Sequence, residues 1–217
     1  MGQYDELKVR HRAERDGWPN NLSLRVHRSL SWVRRAELCD DLDGRFIFLW
    51  VAFNAAYAQE LSEFGHGHEQ AKSGAFISKL ADLDKNRLLY QLVWQEFSAS
   101  IRVLLANQYV FAPFWEFQRG QATQAQWEEA FKSANRGANQ ALAAGHTGRI
   151  ISIILSRLYT LRCQLVHGGA TWDSSVNRDQ LRDSTAFLSK LVPIVIELMM
   201  DNPDTLWGDP SFPVVSM

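Results

Sequence analysis

The chain has 217 residues, 46% hydrophobic and 22% charged, with a formal net charge of -1; these are the proportions of a globular chain and carry no global mark of a nucleic-acid partner. A chain of this size buries roughly 70% of its unfolded surface and needs no disulfide or metal staple, while Cys39 and Cys163 form neither a CxxC pair nor a zinc spacing, which fits a reduced cytoplasmic setting. "MGQYDELKVRHRAERDG" lacks the apolar core of a signal peptide, and "FIFLWVAF" and "LVPIVIELMM" fall short of the ~20 residues that a membrane span requires, so neither secretion nor a membrane is expected.

The pattern along the chain is helical almost throughout. Residues 1–20 form a basic N-terminal segment, and between Lys8 and Arg35 eight Lys/Arg stand against two acids, with His11 and His27 among them. A short acidic patch follows at Glu37, Asp40, Asp41 and Asp43. Two readings stand: a solvated helical face with counter-charges beside it, or a surface that attracts phosphate. Leu22, Val26, Leu30 and Val33 recur at helical spacing after the cap candidates Asn20 and Asn21, which predicts a first helix to about Leu38. After Asp41, "RFIFLWVAFNAAYAQEL" is apolar on nearly every side and is expected at the centre of the fold.

"EFGHGHEQ" reads as a glycine-broken turn, and a third helix is predicted from Glu69 to Leu83. A fourth runs from Asp84 to Asn107, with Leu88, Leu92, Phe97, Ile101 and Leu105 on one stripe. "FAPFWEFQRGQA" reads as an aromatic loop broken by Pro113 and Gly120. Three more helices follow, at about Gln124–Ala144, Arg149–Val166 and Arg178–Met200. Residues 201–217, with three prolines, are read as an extended tail, and no segment alternates as a strand does. The simplest architecture is one all-α domain over 1–217, a bundle of about six to seven helices.

"TLRCQLVHGG", Thr160 to Gly169, carries the candidate chemistry. Gly168 and Gly169 suit the left-handed conformation that stops a helix, and a cation in the last turn suits its exposed carbonyls. On that reading His167 is a cap and Arg162 a surface charge. The second reading is functional: imidazole moves protons near neutral pH, and guanidinium holds a phosphate by paired hydrogen bonds. Arg162 and His167 are five residues apart, so they differ by about 140° around an ideal helix, with Tyr159 and Cys163 between them on the wheel. A shared cleft therefore calls for a loosened last turn. With both heads in one cleft, His167 would take the proton of a ribose 2′-OH and Arg162 would steady the phosphorane-like charge, with no metal and no cofactor. Asn54, a lone amide in the apolar central helix, either points at the same cleft or is a buried amide bonded to backbone. His66 and His68 lack a third ligand nearby, which favours a solvated turn over a metal site. Glu60 and Glu63 are most simply a solvent face, and the aromatic loop is better read as a lid over the core than as a base-stacking platform.

An Arg, four residues and a His at the end of the penultimate helix of an all-α chain resemble the signature of the HEPN superfamily (higher eukaryotes and prokaryotes nucleotide-binding). "LRCQLVHGGATWDSSVNRDQLRDSTAFLSKLVPIVIELMMDNP" is similar to a bacterial, Apea-like branch of it, and "FIFLWVAFNAAYA" resembles its central N-terminal helix. The resemblance implies an antiparallel helical bundle and a homodimer in which two Arg–His pairs meet across the dimer cleft. It implies a metal-independent endoribonuclease acting on RNA, of the kind found among toxins and antiviral effectors, some of them paired with a nucleotidyltransferase-like antitoxin. Carried over by residue, Arg162 holds the phosphate and His167 is the general base or acid. Tyr159, Cys163 and Asn54, from their own positions, are the residues expected on the substrate side. The residue after the arginine is usually polar in active members, and here it is Cys163. That departure keeps open a second reading: a non-catalytic helical module that binds nucleotide, RNA or a protein partner through the same cleft.

Overall fold

The computed structural model describes residues 2–57, 66–210 and 212, without the side chains of 66–71. The protein is all-α: the described residues hold ten α-helices and no strand. They fall into two compact units, Met1–Asn86 with Leu181–Met217, and Arg87–Gln180.

The first unit contains α1 (Gln3–Glu14), α2 (Asn20–Glu37), α3 (Leu42–Tyr57), α4 (His66–Leu83) and, from Leu181 on, α10 (Arg178–Asp201). α2 and α3 form an antiparallel hairpin whose register can be read from its contacts. Arg25 Nη1 donates to the Ala56 carbonyl at 2.8 Å, Ser29 Oγ donates to the Ala52 carbonyl at 2.7 Å, and Trp32 stacks on Phe48 at 5.8 Å. As the number rises along α2 it falls along α3. Asp41 starts α3, its Oδ1 accepting the Gly44 N–H at 2.7 Å, which satisfies one of the free amides of the first turn. Phe46, Ala52, Phe53 and Ala56 of α3 are wholly buried, as the all-round apolar sequence leads one to expect. In α10, Leu188, Leu191, Val192, Val195, Ile196 and Met199 are wholly buried too, each such side chain contributing roughly 1.5–3 kcal/mol.

Two features of this unit differ from the sequence reading. The basic segment, to which the pattern assigns no helix, is helical over Gln3–Glu14, although it has no apolar stripe. Contacts made by α2 and α10 hold it, since Glu37 Oε1 accepts the Tyr4 N–H at 3.1 Å and Arg10 pairs with Asp201 at 2.7 Å. Pro19, and not Asn20 or Asn21, stands at the cap position of α2; Asn21 Oδ1 nonetheless accepts the Leu22 N–H of the first turn at 2.8 Å, and its Nδ2 donates to the Gly208 carbonyl at 3.0 Å. The described part of the tail opens with a turn, closed by the Thr205 N–H on the Asn202 carbonyl at 3.1 Å, and is tied down. Trp207 is buried, its Nε1 donates to the Asn202 carbonyl at 3.1 Å, and Arg25 Nη2 donates to the Asp209 carbonyl at 2.7 Å.

The second unit contains α5 (Leu88–Gln91), α6 (Ser98–Ala106), α7 (Ala112–Gln118), α8 (Gln124–Ala143) and α9 (Thr147–Val166). The continuous fourth helix of the sequence reading is interrupted. Arg87 takes a left-handed φ of 58°, and residues Leu92–Glu96 form a π turn closed by the Phe97 N–H on the Leu92 carbonyl at 3.1 Å. The aromatic loop is also partly helical. Pro113 lies in the first turn of α7, where its missing N–H leaves no bond unmade, so it starts a helix where it was expected to break one. α8 opens on a reciprocal cap between Thr123 and Gln126. α9 buries Ile150, Ile151, Ile154, Leu155, Leu158 and Leu161. These breaks and the two additional helices raise the helix number above the expected six to seven.

Candidate functional site

The end of α9 is built by two glycines with different tasks. Gly168 has φ +71° and donates to the Leu165 carbonyl at 3.3 Å; Gly169 donates to the Gln164 carbonyl at 2.7 Å. This crossed pair of bonds is a Schellman stop, with His167 at the C-cap and Gly168 in the left-handed position. Gly169 is not left-handed, contrary to expectation. It is needed for closeness, because a Cβ there would stand 3.3 Å from the Gln164 carbonyl oxygen.

Arg162, Cys163 and Tyr159 share α9, and His167 follows it. Tyr159 is largely buried, Arg162 and Cys163 are half-buried and His167 is exposed. The Arg162 guanidinium leans back along the helix, its Cζ 5.8 Å over the Tyr159 ring and its Nη1 4.0 Å from Cys163 Sγ. Among the described residues no carboxylate pairs with Arg162, and the His167 ring makes no hydrogen bond. The last turn is not loosened. The His167 N–H keeps its helical bond to the Cys163 carbonyl at 3.0 Å, so the divergence of about 140° between Arg162 and His167 persists. Within one chain these two heads do not lie on one stripe.

The aromatic segment is bound to the same helix end. Gln164 Nε2 donates to the Tyr109 carbonyl at 2.7 Å, and Trp115 Nε1 donates to that same oxygen at 2.8 Å. Phe114 is buried edge-on between Tyr109 and Trp127, whereas Tyr109 keeps 45% of its surface exposed.

Asn54 belongs to the first unit, on α3. Its Oδ1 is buried without a hydrogen-bond partner among the described residues, so this oxygen is not bonded to backbone. His66 and His68 stand at the start of α4, where the side chains are not described, and Glu60 and Glu63 lie outside the described residues. Among the described residues no group of three or more His, Cys, Asp or Glu gathers as a metal site, and no helix is long and apolar enough to cross a membrane.

Sequence reasoning missed Arg157. It is buried one and a half turns before Arg162, with its guanidinium carbon 4.2 Å over the Phe111 ring and 5.7 Å from that of Phe131. Burial lowers its pKa to about 10. A signal existed: Arg157 stands on the Ile154, Leu158, Leu161 stripe, where a surface arginine would not be placed.

Compared with family models, with curated proteins and with solved structures, the chain matches none.

Proposed function

We propose that this chain is a HEPN-like, metal-independent endoribonuclease that works as a homodimer in the cytoplasm, in the manner of a toxin or antiviral effector. The observation that carries the reading is the end of α9: an arginine with no carboxylate partner and an exposed histidine beside a Schellman stop. Because about 140° separates them, a competent site needs a second copy, with the two Arg–His pairs facing one phosphate. Exposed Val166, Trp172 and Val176 flank His167 in sequence and supply apolar surface for such a contact. In the assembled cleft His167 takes the ribose 2′-OH proton, and Arg162 holds the phosphate by two hydrogen bonds and steadies its developing charge. A nucleotidyltransferase-like antitoxin is the partner class this reading brings with it.

The test is an RNA-cleavage assay of wild type beside Arg162→Ala and His167→Ala, with and without EDTA. Cleavage that survives EDTA and disappears in both variants supports the reading, and equal cleavage by wild type and variants ends it. One observation favours a second reading, a non-catalytic module that binds nucleotide, RNA or a protein partner. The Arg162 guanidinium has a thiol at its side, Cys163, in place of a strong hydrogen-bonding group. RNA binding without cleavage, lost in Arg162→Ala, would select it.

A further inference from the structure

The basic segment becomes a defined cluster once α1 lies beside α2. Lys8 Nζ stands 3.3 Å from His27 Nδ1, and the His11 ring lies 6.0 Å from His27 and 5.8 Å from Trp18. An ammonium has only donors, so Lys8 donates to the His27 Nδ1 lone pair, and this neutral ring carries its proton on Nε2. His11 is buried, with Nε2 3.3 Å from the Ser23 carbonyl and Nδ1 without a partner. The titratable and charged groups acting on this cluster are the Tyr4 phenol of α1, which acts on Lys8, and the cations Arg12 of α1, Arg15 of the following turn and Arg28 of α2. Two acids that follow in sequence are engaged with other cations: Glu14 pairs with Arg10 at 2.9 Å, and Asp16 lies 3.5 Å from Arg15.

This arrangement resists a second proton. Protonating His27 removes the lone pair that Lys8 uses and leaves two cations in contact. Burial, then Lys8 and the arginines, hold both imidazoles below the ordinary histidine range. A bound anion reverses this, since its oxygens accept from the ammonium and the imidazolium together. We infer that Lys8 and His27, flanked by Arg12, Arg15 and Arg28, form a proton-coupled phosphate site, in which a phosphate group binds between the ammonium and an imidazolium made by taking one proton from solvent. The site is independent of Arg162 and His167: a chain that never cleaves RNA would still bind here.

The test is calorimetric titration at constant ionic strength from pH 6 to pH 8, in two buffers of different ionisation heat. The probes are sulfate, a tetrahedral dianion whose charge does not change in this range, and a short single-stranded RNA with 5′-hydroxyl ends, which offers phosphodiesters alone. Affinity is expected to rise about tenfold from pH 8 to pH 6, with uptake approaching one proton per anion and an upward shift of the His27 titration by NMR. Tight sulfate binding identifies a free phosphate group as the occupant, and binding of RNA alone identifies the backbone. Lys8→Met and His27→Gln, at half-buried and exposed positions of helices, should each abolish the proton uptake with unchanged circular dichroism. Failure of both probes to bind, or binding that changes less than twofold over this pH range or is untouched by these variants, overturns the inference.

Discussion

Arg162 lies over Tyr159 and not beside His167: its guanidinium carbon is 5.8 Å from the centre of the phenol ring, one turn back along α9. The ring fixes where the cation waits, and a cation–π contact of this kind is worth about 0.5–1 kcal/mol at a partly exposed site. Tyr159→Phe keeps the aromatic face and should leave RNA cleavage by the proposed endoribonuclease unchanged within about twofold. Tyr159→Leu removes the π face and should lower kcat/KM about three- to fivefold when assayed well below its melting temperature, which the smaller side chain also lowers. Equal rates for the phenylalanine and leucine variants would show that the ring does not position Arg162.

The stop after α9 should be more sensitive to small changes than its exposed position suggests. Gly168→Ala forces a side chain into φ +71°, at a cost of about 1 kcal/mol, and Gly169→Ala presses a methyl group against the Gln164 carbonyl. Each should lower Tm by about 2–4 °C for a chain of this size. Gly168→Asn should lose less, since asparagine tolerates the left-handed region. Thermal melts of the three variants check this, and an unchanged Tm for Gly168→Ala would mean that the stop relaxes at no cost.

Much of this was legible in the sequence wherever one apolar stripe faced one core. α2, α8, α9 and α10 follow from their 3.6-residue repeats and end within a few residues of expectation, whereas α3 follows from a run that is apolar on nearly every side. α1 was hidden because Tyr4, Leu7 and Val9 make no stripe; its order comes from Glu37 and Asp201, distant in sequence. α7 was hidden by Pro113, which breaks a helix in its interior and favours one in its first turn. The glycine stop beside His167 was readable from local chemistry alone. The heading of the Arg162 side chain was not, because it depends on a ring three residues back and on a last turn that keeps its helical bond.

Acid should weaken the first unit early. His11 is buried and its pKa is lowered, first by burial and then by Lys8. The folded state therefore binds its proton less tightly than the unfolded state. Stability is full above the unfolded value near 6.5 and falls as pH drops below it, until the folded pKa is passed. His27 is lowered in the same sense. Glu197, raised by burial and by Asp201, acts in the opposite direction nearer the carboxylate range. His11→Gln removes one titration and retains a donor for the Ser23 carbonyl, so its Tm should decline less than that of wild type between pH 6.5 and 5. Parallel declines in sulfate-free buffer would count against a role for His11.

Arg157 offers the sharpest stability test. Burial lowers its pKa to about 10, a penalty on the charged form of roughly 3 kcal/mol, and no carboxylate among the described residues offsets it. The folded pKa of this cation is depressed, so the penalty is absent only above the unfolded value and complete below about 10; at pH 7 it acts in full. The stacking of its guanidinium on Phe111 and Phe131 returns part of that, about 2 kcal/mol for a desolvated contact. Arg157→Met keeps the apolar stem and removes the charge, so it should leave stability unchanged or raise it by about 1 kcal/mol. Arg157→Ala removes the stem as well, leaves a gap beneath the two rings and should cost about 2–4 kcal/mol. Denaturant unfolding of both variants at pH 7 decides the matter. A methionine variant as damaged as the alanine variant would show that the charge itself, through a partner it has not yet met, holds Phe111 and Phe131 in place.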